Sequence, residues 1–283
     1  MQRQKSFDFE QPTLYIVATP IGNLAEMTPR AIEVLQKVDV IAAEDTRNTK
    51  KLLHHFHIHT KLIAHHMHNE IQSAKGILEL LQMGKSVAVV SDAGYPLLSD
   101  PGLKVTQTVI EAGYCVVPIS GSNAMLNALV ASGLCVQPFL FYGFLKHAEK
   151  ERIKELQELK DCNHTMIFYE APHRLSKTLG NLLEVMGNRS ICIARELTKK
   201  HEEFIRGNIM EILEIADDLK GEMVLVVEGN DDEGKDIMED VDVKEMMDAY
   251  IKEGYTSKEA MKLVAKKTGI SRNEIYHIYH NLG

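Results

Sequence analysis

Short apolar runs alternate with stretches of helical periodicity through the first half of the chain. Strand-like runs occupy residues 14–18, 38–43, 87–91 and 114–118, and helix-like stretches occupy residues 30–37, 50–56, 70–83 and 103–112. Because strands that alternate with helices form βα units, the pattern predicts a parallel sheet covered by helices. We assign residues 12–122 to this first α/β lobe.

The alternation resumes after Asn123 and predicts a second α/β lobe over residues 123–229. Its elements are a helix to about residue 132, strands at 139–142, 165–169, 190–194 and 223–227, and helices at 148–160, 173–186 and 209–218. We expect the same parallel arrangement there. The pattern therefore favours a two-lobed α/β fold.

The last part of the chain differs from both lobes. Residues 230–242 are acidic with little apolar content, which is typical of a linker that cannot fold alone. Residues 243–283 carry three short helical patterns, two of which open with capping-box spacings at 256–259 and 271–274. These predict a small C-terminal extension of helix-turn-helix type, which either contacts nucleic acid or is a packing appendage.

Composition and charge narrow the setting. The chain has 283 residues and a formal net charge of −8, which disfavours unspecific binding to polyanions, so any nucleic-acid role must be local. No apolar run approaches the roughly 20 residues that cross a bilayer, and we expect no membrane role. The four cysteines are scattered without paired spacing, as expected of reduced thiols in the cytoplasm.

Four loops follow predicted strands and carry groups that an ordinary connection does not need. They span residues 19–24, 43–50, 91–102 and 118–124. Because open α/β sheets bind ligands at the carboxyl ends of their strands, we expect these loops to form a binding site. Within the third loop, Asp100-Pro101 predicts an N-cap and a first-turn proline for the next helix.

The second and third loops contain candidate carboxylates. Glu44 and Asp45 form an acidic pair at the end of a very apolar strand, although Asp45 or Thr46 would also serve as the cap of the next helix. Asp92 offers an acceptor for an amine or a ribose hydroxyl. The third and fourth loops lack the phosphate-cradling spacings GxGxxG and GxxxxGK[ST], which favours a small nucleoside ligand over a diphosphate-bearing one.

Polar groups also end two predicted strands of the second lobe, at residues 168–174 and 194–203. The cations there are candidates for phosphate binding: Arg174, Arg195, Lys199 and Lys200. A solvated face or a salt bridge explains any one of them alone, so only their joint position at strand ends favours a site.

Seven histidines lie between residues 54 and 68 and raise a metal hypothesis. Their spacing mixes helix and strand periods, and no H-E-x-x-H pattern or neighbouring cysteine accompanies them. We therefore expect no metal and interpret the segment as a pH-sensitive surface.

Six loop motifs follow one another along the chain. They are Thr19-Pro20-Ile21-Gly22-Asn23-Leu24, Ala43-Glu44-Asp45-Thr46-Arg47, Ser91-Asp92-Ala93-Gly94-Tyr95-Pro96 with Ser99-Asp100-Pro101-Gly102, Tyr142-Gly143-Phe144-Leu145, Tyr169-Glu170-Ala171-Pro172-His173-Arg174 and Arg195-Glu196-Leu197-Thr198-Lys199. Together they resemble the tetrapyrrole-methylase superfamily, in particular its branch that methylates ribosomal RNA. The resemblance runs from about residue 14 to residue 229.

The resemblance implies a two-lobed enzyme that binds S-adenosyl-L-methionine between its lobes, usually as a homodimer. It also implies methylation of a cytidine ribose in the decoding region of 16S rRNA, presented as free rRNA or as the small ribosomal subunit. By motif position, the residues expected around the cofactor are Asp92, Ala93, Gly94, Tyr95, Ser120, Gly121, Ser122, Asn123, Ala124, Tyr169, Glu170, Leu197, Met223 and Val224.

The implied chemistry depends mainly on how the protein positions the reacting groups. Methyl transfer from a sulfonium is an in-line displacement, so the protein must align the acceptor oxygen and exclude water. A ribose hydroxyl is a weak nucleophile near neutral pH, and a nearby base would help. Candidates for that base are Glu44, Asp45 and Glu170, while Arg47 and Lys199 would hold phosphate or lower the pKa of the hydroxyl.

Two other functions stay open at this point. One is a methylase of the same superfamily that acts on a tetrapyrrole, on another small substrate or on a protein side chain. The other is a nucleic-acid-binding protein without catalysis, in which the cleft is vestigial and the C-terminal helices bind.

Overall fold

The computed structural model describes residues 3–7, 11–230, 240–268 and 272–280. The chain separates into two compact units, Met1–Gly229 and Asn230–Gly283. The first unit holds two β-sheets, each covered by helices. None of the described helices is long and apolar enough to cross a membrane.

The first sheet is entirely parallel, as the alternating pattern predicts. Its strands are β1 (Thr13–Val17), β2 (Val40–Ala43), β3 (Lys61–Ala64), β4 (Val87–Val90) and β5 (Cys115–Ile119), in the order β3-β2-β4-β1-β5. The helices are α1 (Pro29–Lys37), α2 (Thr46–His55), α3 (Glu70–Gln82) and α4 (Leu103–Glu111), with 3-10 turns at Leu24–Glu26 and Met67–Asn69. Because helices cover both faces, every residue of β2 and β4 is buried.

The second sheet is mixed, which corrects the expectation of parallel units throughout. It follows α5 (Ala124–Ser132) and contains β6 (Phe139–Phe144), β7 (Thr165–Glu170), β8 (Ser190–Arg195), β9 (Glu203–Asn208) and β10 (Met223–Val227), in the order β6-β7-β10-β8-β9. Only β6 and β7 pair in parallel; β10 runs antiparallel between β7 and β8, and β9 antiparallel to β8. The helices are α6 (Glu149–Leu159), α7 (Leu175–Met186) and α8 (Ile209–Leu213), with 3-10 turns at Pro172–Arg174 and Ala216–Asp218.

Two strands were not expected from the pattern, and both are sheet edges. Neither strand has a buried residue: β3 has only three apolar residues after Lys61, and β9 has only the apolar pair Phe204-Ile205 among charged and polar residues and a glycine, so neither shows the long apolar run of a buried strand. The helix expected over residues 209–218 is also wrong, because α8 ends at Leu213 and a separate 3-10 turn follows.

The start of α4 differs from the sequence prediction. The helix begins at Leu103 with Gly102 as its N-cap, so Asp100 is not the cap and Pro101 is not its first residue. The carboxylate of Glu70 on α3 takes this role instead, because its Oε1 accepts from the backbone N–H groups of Gly102 at 2.9 Å and Lys104 at 3.0 Å. Asp100 is thereby released from capping.

The described residues of the second unit form three helices, α9 (Asp240–Lys252), α10 (Ser257–Thr268) and α11 (Arg272–His280). They pack around a small core of Val243, Met247, Ala260, Val264 and Ile275. The capping box expected at 256–259 forms, since Thr256 N–H donates to Glu259 at 2.9 Å and Glu259 N–H to Thr256 Oγ1 at 3.4 Å. The expected linker and the second capping box lie largely outside the described residues.

Candidate functional site

A cavity of about 380 Å³ opens where the loops of both sheets meet. It is lined from the first lobe by Ile21, Asp92, Ala93, Gly94, Tyr95, Leu98, Ser99 and Asp100, and from the second by Asn123, Ala124, Phe144, Tyr169, Glu170, Ala171, Pro172, Ala194, Leu197, Glu222, Met223 and Val224. Its volume falls in the range of small-molecule pockets, which are usually largely apolar with a few placed polar groups.

The mixed topology of the second sheet explains how residues from three strands share one wall. Met223 pairs with Glu170 at the end of β7 and with Arg195 at the end of β8. Because β10 is antiparallel to both neighbours, its first residues lie at the same edge as their last ones. Met223 and Val224 therefore line the cavity beside Tyr169, Glu170 and Leu197.

Most of the predicted cofactor residues lie together in this wall, and three do not. Those that line the cavity are Asp92, Ala93, Gly94, Tyr95, Asn123, Ala124, Tyr169, Glu170, Leu197, Met223 and Val224. Ser120, Gly121 and Ser122 lie outside the lining. Gly121 N–H donates to the Tyr95 hydroxyl at 3.3 Å, and Ser122 Oγ donates to Glu26 Oε2 at 2.9 Å. This segment thus supports the wall from behind.

Close backbone contacts hold the loops after β1, β4 and β5 together. Thr19 and Gly94 exchange backbone hydrogen bonds of 2.9 and 3.0 Å, and Gly94 has a left-handed φ of 76°. A Cβ on Gly121 would lie 2.8 Å from the Ala18 Cβ, so only glycine fits there. Asn123 caps α5 by accepting from Leu126 N–H at 3.0 Å.

Asp92 links the second loop to the third. Its Oδ1 accepts from the backbone N–H of Asp45 at 3.3 Å, and its Oδ2 from the Asn48 side-chain amide at 2.9 Å. Asp45 itself is the N-cap of α2 and holds Arg47 by a 2.8 Å ion pair. The capping interpretation of Asp45 is therefore confirmed, and neither Asp45 nor Arg47 lines the cavity.

Negative charge accumulates on the first-lobe side of the site. Burial, and the nearby carboxylates of Asp92 and Asp45, raise the pKa of Glu44, which His66 lowers in part. Burial, followed by the charge of Glu44, raises the pKa of Asp100 to about 6, against a hydrogen bond from Ser91 that lowers it. Glu44 lies beside the cavity without lining it, and Asp100 lies in its wall.

Glu170 is a buried carboxylate with several donors. Its Oε1 accepts from Ala171 N–H at 2.8 Å and lies 3.3 Å from Arg174 Nε, and its Oε2 accepts from Thr178 Oγ1 at 2.5 Å. Arg174 also donates to the carbonyl of Leu145 at 2.9 Å. These bonds anchor the end of β7 to α7, and they occupy both oxygens of Glu170, which is one of the three candidates for the base.

Lys199 joins the second lobe to the first loop. Its Nζ contacts Glu196 at 3.1 Å and Glu222 at 2.8 Å, and it does not line the cavity itself. A Cβ on Gly22 would lie 2.5 Å from Lys199 Cγ, so the lysine stem packs directly on this glycine. Lys199 therefore bridges two carboxylates while it covers the loop after β1.

Sequence reasoning missed nine residues of the lining: Ile21, Leu98, Ser99, Asp100, Phe144, Ala171, Pro172, Ala194 and Glu222. Six of them lie inside the loop motifs that carry the family resemblance. The sequence therefore locates these loops, but it does not show which of their side chains point into the cavity. Phe144 and Tyr169 make an edge-to-face contact with ring centroids 5.4 Å apart, and this contact between two strands is not visible in local sequence spacing.

The histidine-rich segment does not assemble a metal centre within the described part of the chain, where no group of three or more His, Cys, Asp or Glu residues has the required geometry. His65 is buried, with its Nδ1 2.8 Å from Ser73 Oγ, and burial lowers its pKa.

Comparison with known proteins gives a consistent picture. A profile of the tetrapyrrole (corrin/porphyrin) methylases matches residues 13–213. A protein of Bacillus subtilis named ribosomal RNA small subunit methyltransferase I is 49% identical over 288 aligned residues, which cover 99% of each chain. A protein of the same name from Synechocystis is 43% identical over 94% of this chain and 96% of its own.

Solved structures share the fold of the first unit. The methyltransferase CobJ superposes with a TM-score of 0.58 at 20% identity over 78% of this chain and 95% of its own. Diphthine synthase gives a TM-score of 0.58 at 12% identity, over 77% and 90% of the two chains. These distant neighbours confirm the two-lobed α/β fold alone.

Proposed function

Because this chain belongs to the tetrapyrrole (corrin/porphyrin) methylase family, we propose that it transfers a methyl group from S-adenosyl-L-methionine to the 2′-oxygen of a cytidine ribose in 16S rRNA. The observation that carries the proposal is 49% identity over 99% of both chains to a relative named for methylating small-subunit ribosomal RNA. Similarity of that extent covers the site loops and the C-terminal helices as well as the fold.

The cavity suits the proposed donor in its chemistry. Its wall combines apolar side chains such as Ile21, Leu197 and Met223 with the carboxylates Asp92 and Asp100. An adenosine ring and a thioether chain need apolar contact, whereas a sulfonium and an ammonium group favour nearby negative charge. Asp92, Tyr95 and the backbone of Gly94 would hold the donor, and bound S-adenosyl-L-methionine would supply an electrophilic methyl carbon.

The residues of this chain would position the substrates, exclude water from the reacting atoms and supply negative charge. Ile21, Phe144 and Tyr169, which line the cavity, would help to exclude water from the reacting atoms. The fixed loops after β1, β4 and β5 hold the site in one geometry, which is where most of the acceleration of an in-line displacement originates. Asp92, already ordered by Asp45 and Asn48, would keep its carboxylate oriented toward the ligand.

We also propose that the chain acts on the small ribosomal subunit in the cytoplasm as a homodimer. All four cysteines are free thiols, which agrees with a reducing compartment. Leu126 and Val130, one turn apart on α5, are exposed, and apolar side chains in such positions are common at subunit interfaces.

The function is tested with small ribosomal subunits from cells that lack this protein. We expect the purified chain and labelled S-adenosyl-L-methionine to produce 2′-O-methylcytidine, detected by mass spectrometry of nuclease-digested rRNA. Asp92→Ala should weaken donor binding in calorimetry at least tenfold, because the loop loses an ordered acceptor. Absence of label in rRNA, or transfer to a tetrapyrrole instead, would refute the proposal, and unchanged donor affinity would remove Asp92 from the site.

A further inference from the structure

One segment of the first lobe carries positive charge that the proposed chemistry does not use. Residues 46–69 contain four lysines or arginines and seven histidines but no aspartate or glutamate, although the whole chain has 40 acidic residues and a formal net charge of −8. A chain of this composition can attract a polyanion only through a local surface. Positive charge without opposing carboxylates is concentrated in this segment.

The structure places the middle of the segment on the surface of the first lobe. Residues 50–61 run from the body of α2 to the start of β3, which is an edge strand of the first sheet. Their three lysines and four histidines are all exposed. Leu53 and Ile58, which lie between them in the sequence, are buried in the core and fix the segment to the lobe. We call the seven exposed side chains the basic edge.

The side chains of the basic edge are suited to contact phosphate oxygens. Lys50 and His54 are four residues apart on α2, as are Lys51 and His55, so the members of each pair are neighbours on the helix surface. An ammonium group donates three hydrogen bonds, and an imidazole donates one when it is neutral and two when it is protonated. The basic edge therefore combines positive charge with several hydrogen-bond donors.

None of the three lysines is neutralised within the part of the chain that the structure describes. Lys50, Lys51 and Lys61 form no ion pair there. The carboxylates that flank the segment in the sequence are already occupied, since Asp45 caps α2 and pairs within its first turn, and Glu70 accepts from two amides at the start of α4. The charge of the basic edge is thus available to an external anion.

Three of the four cations expected to bind phosphate in the second lobe differ in this respect. Arg174 contacts Glu170 and donates to two backbone carbonyls. Arg195 pairs with Glu203 and donates to a backbone carbonyl, and Lys199 lies between two glutamates. These groups support the second lobe, whereas the lysines of the basic edge have no such role.

The basic edge leads away from the wall of the cavity. The backbone N–H of Asp45, at the start of α2, donates to Asp92 at 3.3 Å, and the side-chain amide of Asn48 donates to the same carboxylate at 2.9 Å. Asp92 lines the cavity. Because α2 has ten residues and rises 1.5 Å per residue, it continues for about 15 Å from this contact. An RNA strand that lies along α2 therefore reaches the cavity.

We propose that the basic edge binds the phosphodiester backbone of small-subunit rRNA beside the nucleotide that enters the cavity, an inference that rests on the proposed methyl transfer. The lysine ammonium groups contact phosphate oxygens and displace counterions, and the imidazoles donate hydrogen bonds. Such contacts fix the position of the strand without reading its bases. The basic edge thus contributes to substrate affinity and not to the methyl-transfer step.

The test compares Lys50→Gln/Lys51→Gln, the lysine variant, with the wild type in equilibrium binding to small ribosomal subunits from cells that lack this protein, at several salt concentrations. The matched control is Lys150→Gln/Lys154→Gln, which removes two exposed lysines from α6. Single-turnover methylation at saturating subunit concentration measures the chemical step. Calorimetry with S-adenosyl-L-methionine and thermal melting check the donor site and the fold.

We expect the lysine variant to bind subunits about tenfold more weakly at about 0.15 M salt, because two phosphate contacts are lost. The slope of log affinity against log salt concentration should fall by about 1 to 2. Its rate at saturating subunit and its donor affinity should stay within about twofold of the wild type, because only binding of the RNA is lost. The control should bind as the wild type does.

Two further measurements examine the histidines and the partner. His54→Gln/His55→Gln should weaken binding by a smaller factor than the lysine variant does, since neutral donors are lost as well as charge. Chemical cross-linking of the wild-type complex, followed by mass spectrometry, should attach residues 50–61 to nucleotides. Unchanged affinity of the histidine variant would exclude the imidazoles from the contact.

Three results would overturn the proposal. They are a lysine variant with the affinity and salt slope of the wild type, an equal loss in the control, and cross-links of residues 50–61 to a ribosomal protein in place of nucleotides. If the lysine variant does not fold, Lys61→Gln on β3 gives the same comparison with about half the change in slope. A wild type that methylates no rRNA would instead refute the proposed function, so the two failures are distinct.

Discussion

The two walls of the cavity differ in whether their carboxylates are paired with cations. On the second-lobe wall, Glu170 is neutralised by Arg174, and Lys199 lies between Glu196 and Glu222. On the first-lobe side, burial and the charges of neighbouring carboxylates raise the pKa of Asp100 in the wall and of Glu44 beside it. The same residue type therefore serves as a support on one side and carries unbalanced charge on the other.

This difference indicates where stability and where chemistry reside. A paired, buried carboxylate fixes a strand end, and its loss leaves a stranded cation. An unpaired carboxylate lowers stability and is retained where a ligand or a proton uses it. Removal of the paired carboxylate on the second-lobe wall should accordingly destabilise the protein, and removal of the unpaired carboxylate on the first-lobe wall should stabilise it.

The largest effect on stability is expected for Glu170→Ala. Its side chain is only 1% exposed, and its removal leaves the Arg174 guanidinium buried without its anion. We expect a loss of about 3–5 kcal/mol in the free energy of unfolding. Urea unfolding followed by circular dichroism measures it.

Glu170→Gln is the control for shape, since it keeps the volume and one acceptor oxygen for Ala171 N–H, places an amide NH2 group beside Thr178 Oγ1 and removes the charge. It should cost less than Glu170→Ala. A loss below about 1 kcal/mol for Glu170→Ala would contradict the view that this wall is a neutralised support.

The next effect concerns the segment behind the first-lobe wall. Gly121→Ala would place a Cβ 2.8 Å from Ala18 Cβ and 3.2 Å from the Ala18 carbonyl oxygen. Because backbone must move to admit it, we expect a loss of about 1–3 kcal/mol and weaker donor binding. Gly76→Ala in α3 meets nothing within 4 Å and should instead stabilise by about 0.5–1 kcal/mol. Equal effects of the two substitutions would show that the loop is not closely packed.

The two lobes also differ in how far their structure was predictable. In the first lobe, β1, β2 and β4 are apolar and buried nearly throughout because helices cover both faces, and the edge strand β5 keeps the apolar run Cys115-Val116-Val117, so hydrophobicity alone locates all four. In the second, the pattern locates β7, β8 and β10 but not their direction, since a buried strand looks the same whichever way it runs. The edge strand β9 has only the apolar pair Phe204-Ile205 between charged and polar residues, so hydrophobicity does not locate it.

The site was predictable to the extent that it depends on loops after strands. Asp92 to Tyr95 line the cavity because β4 delivers them directly. The prediction that Asp100 caps α4 is wrong because Glu70, thirty residues earlier in the chain, accepts from the backbone N–H groups of Gly102 and Lys104 at the start of that helix. The capping of α4 depends on this tertiary contact, which cannot be read from the local sequence around Asp100.

In contrast to Glu170→Ala, Asp100→Asn is expected to stabilise the folded protein at pH 8. Burial, followed by the charge of Glu44, raises the pKa of Asp100 to about 6 in the folded chain, above the ordinary aspartate value of 3.8. The folded state thus binds more protons in this interval, so the contribution of Asp100 to stability falls as pH rises through it. At pH 8 the variant should be more stable than the wild type by on the order of 1 kcal/mol, after allowance for solvent screening.

The measurement is urea unfolding of both proteins at pH 8, 7, 6 and 5. The gap should narrow on acidification, because protonation of the wild type removes the same charge that the substitution does. A gap that is constant with pH would mean that packing, not charge, separates the two proteins.

The smallest effect on stability is expected for Lys199→Met, which tests the contribution of a paired cation on the second-lobe side. Methionine keeps a stem over Gly22 but removes the cation between Glu196 and Glu222, and such partly exposed pairs contribute less than about 1 kcal/mol. Lys177→Met on the exposed side of α7 is the control for loss of one charge. If Lys199 also contacts rRNA phosphate, its substitution should raise KM for the small subunit and flatten the dependence of binding on salt, while Lys177→Met changes neither. A change in stability without a change in KM would restrict Lys199 to holding the two lobes' loops together.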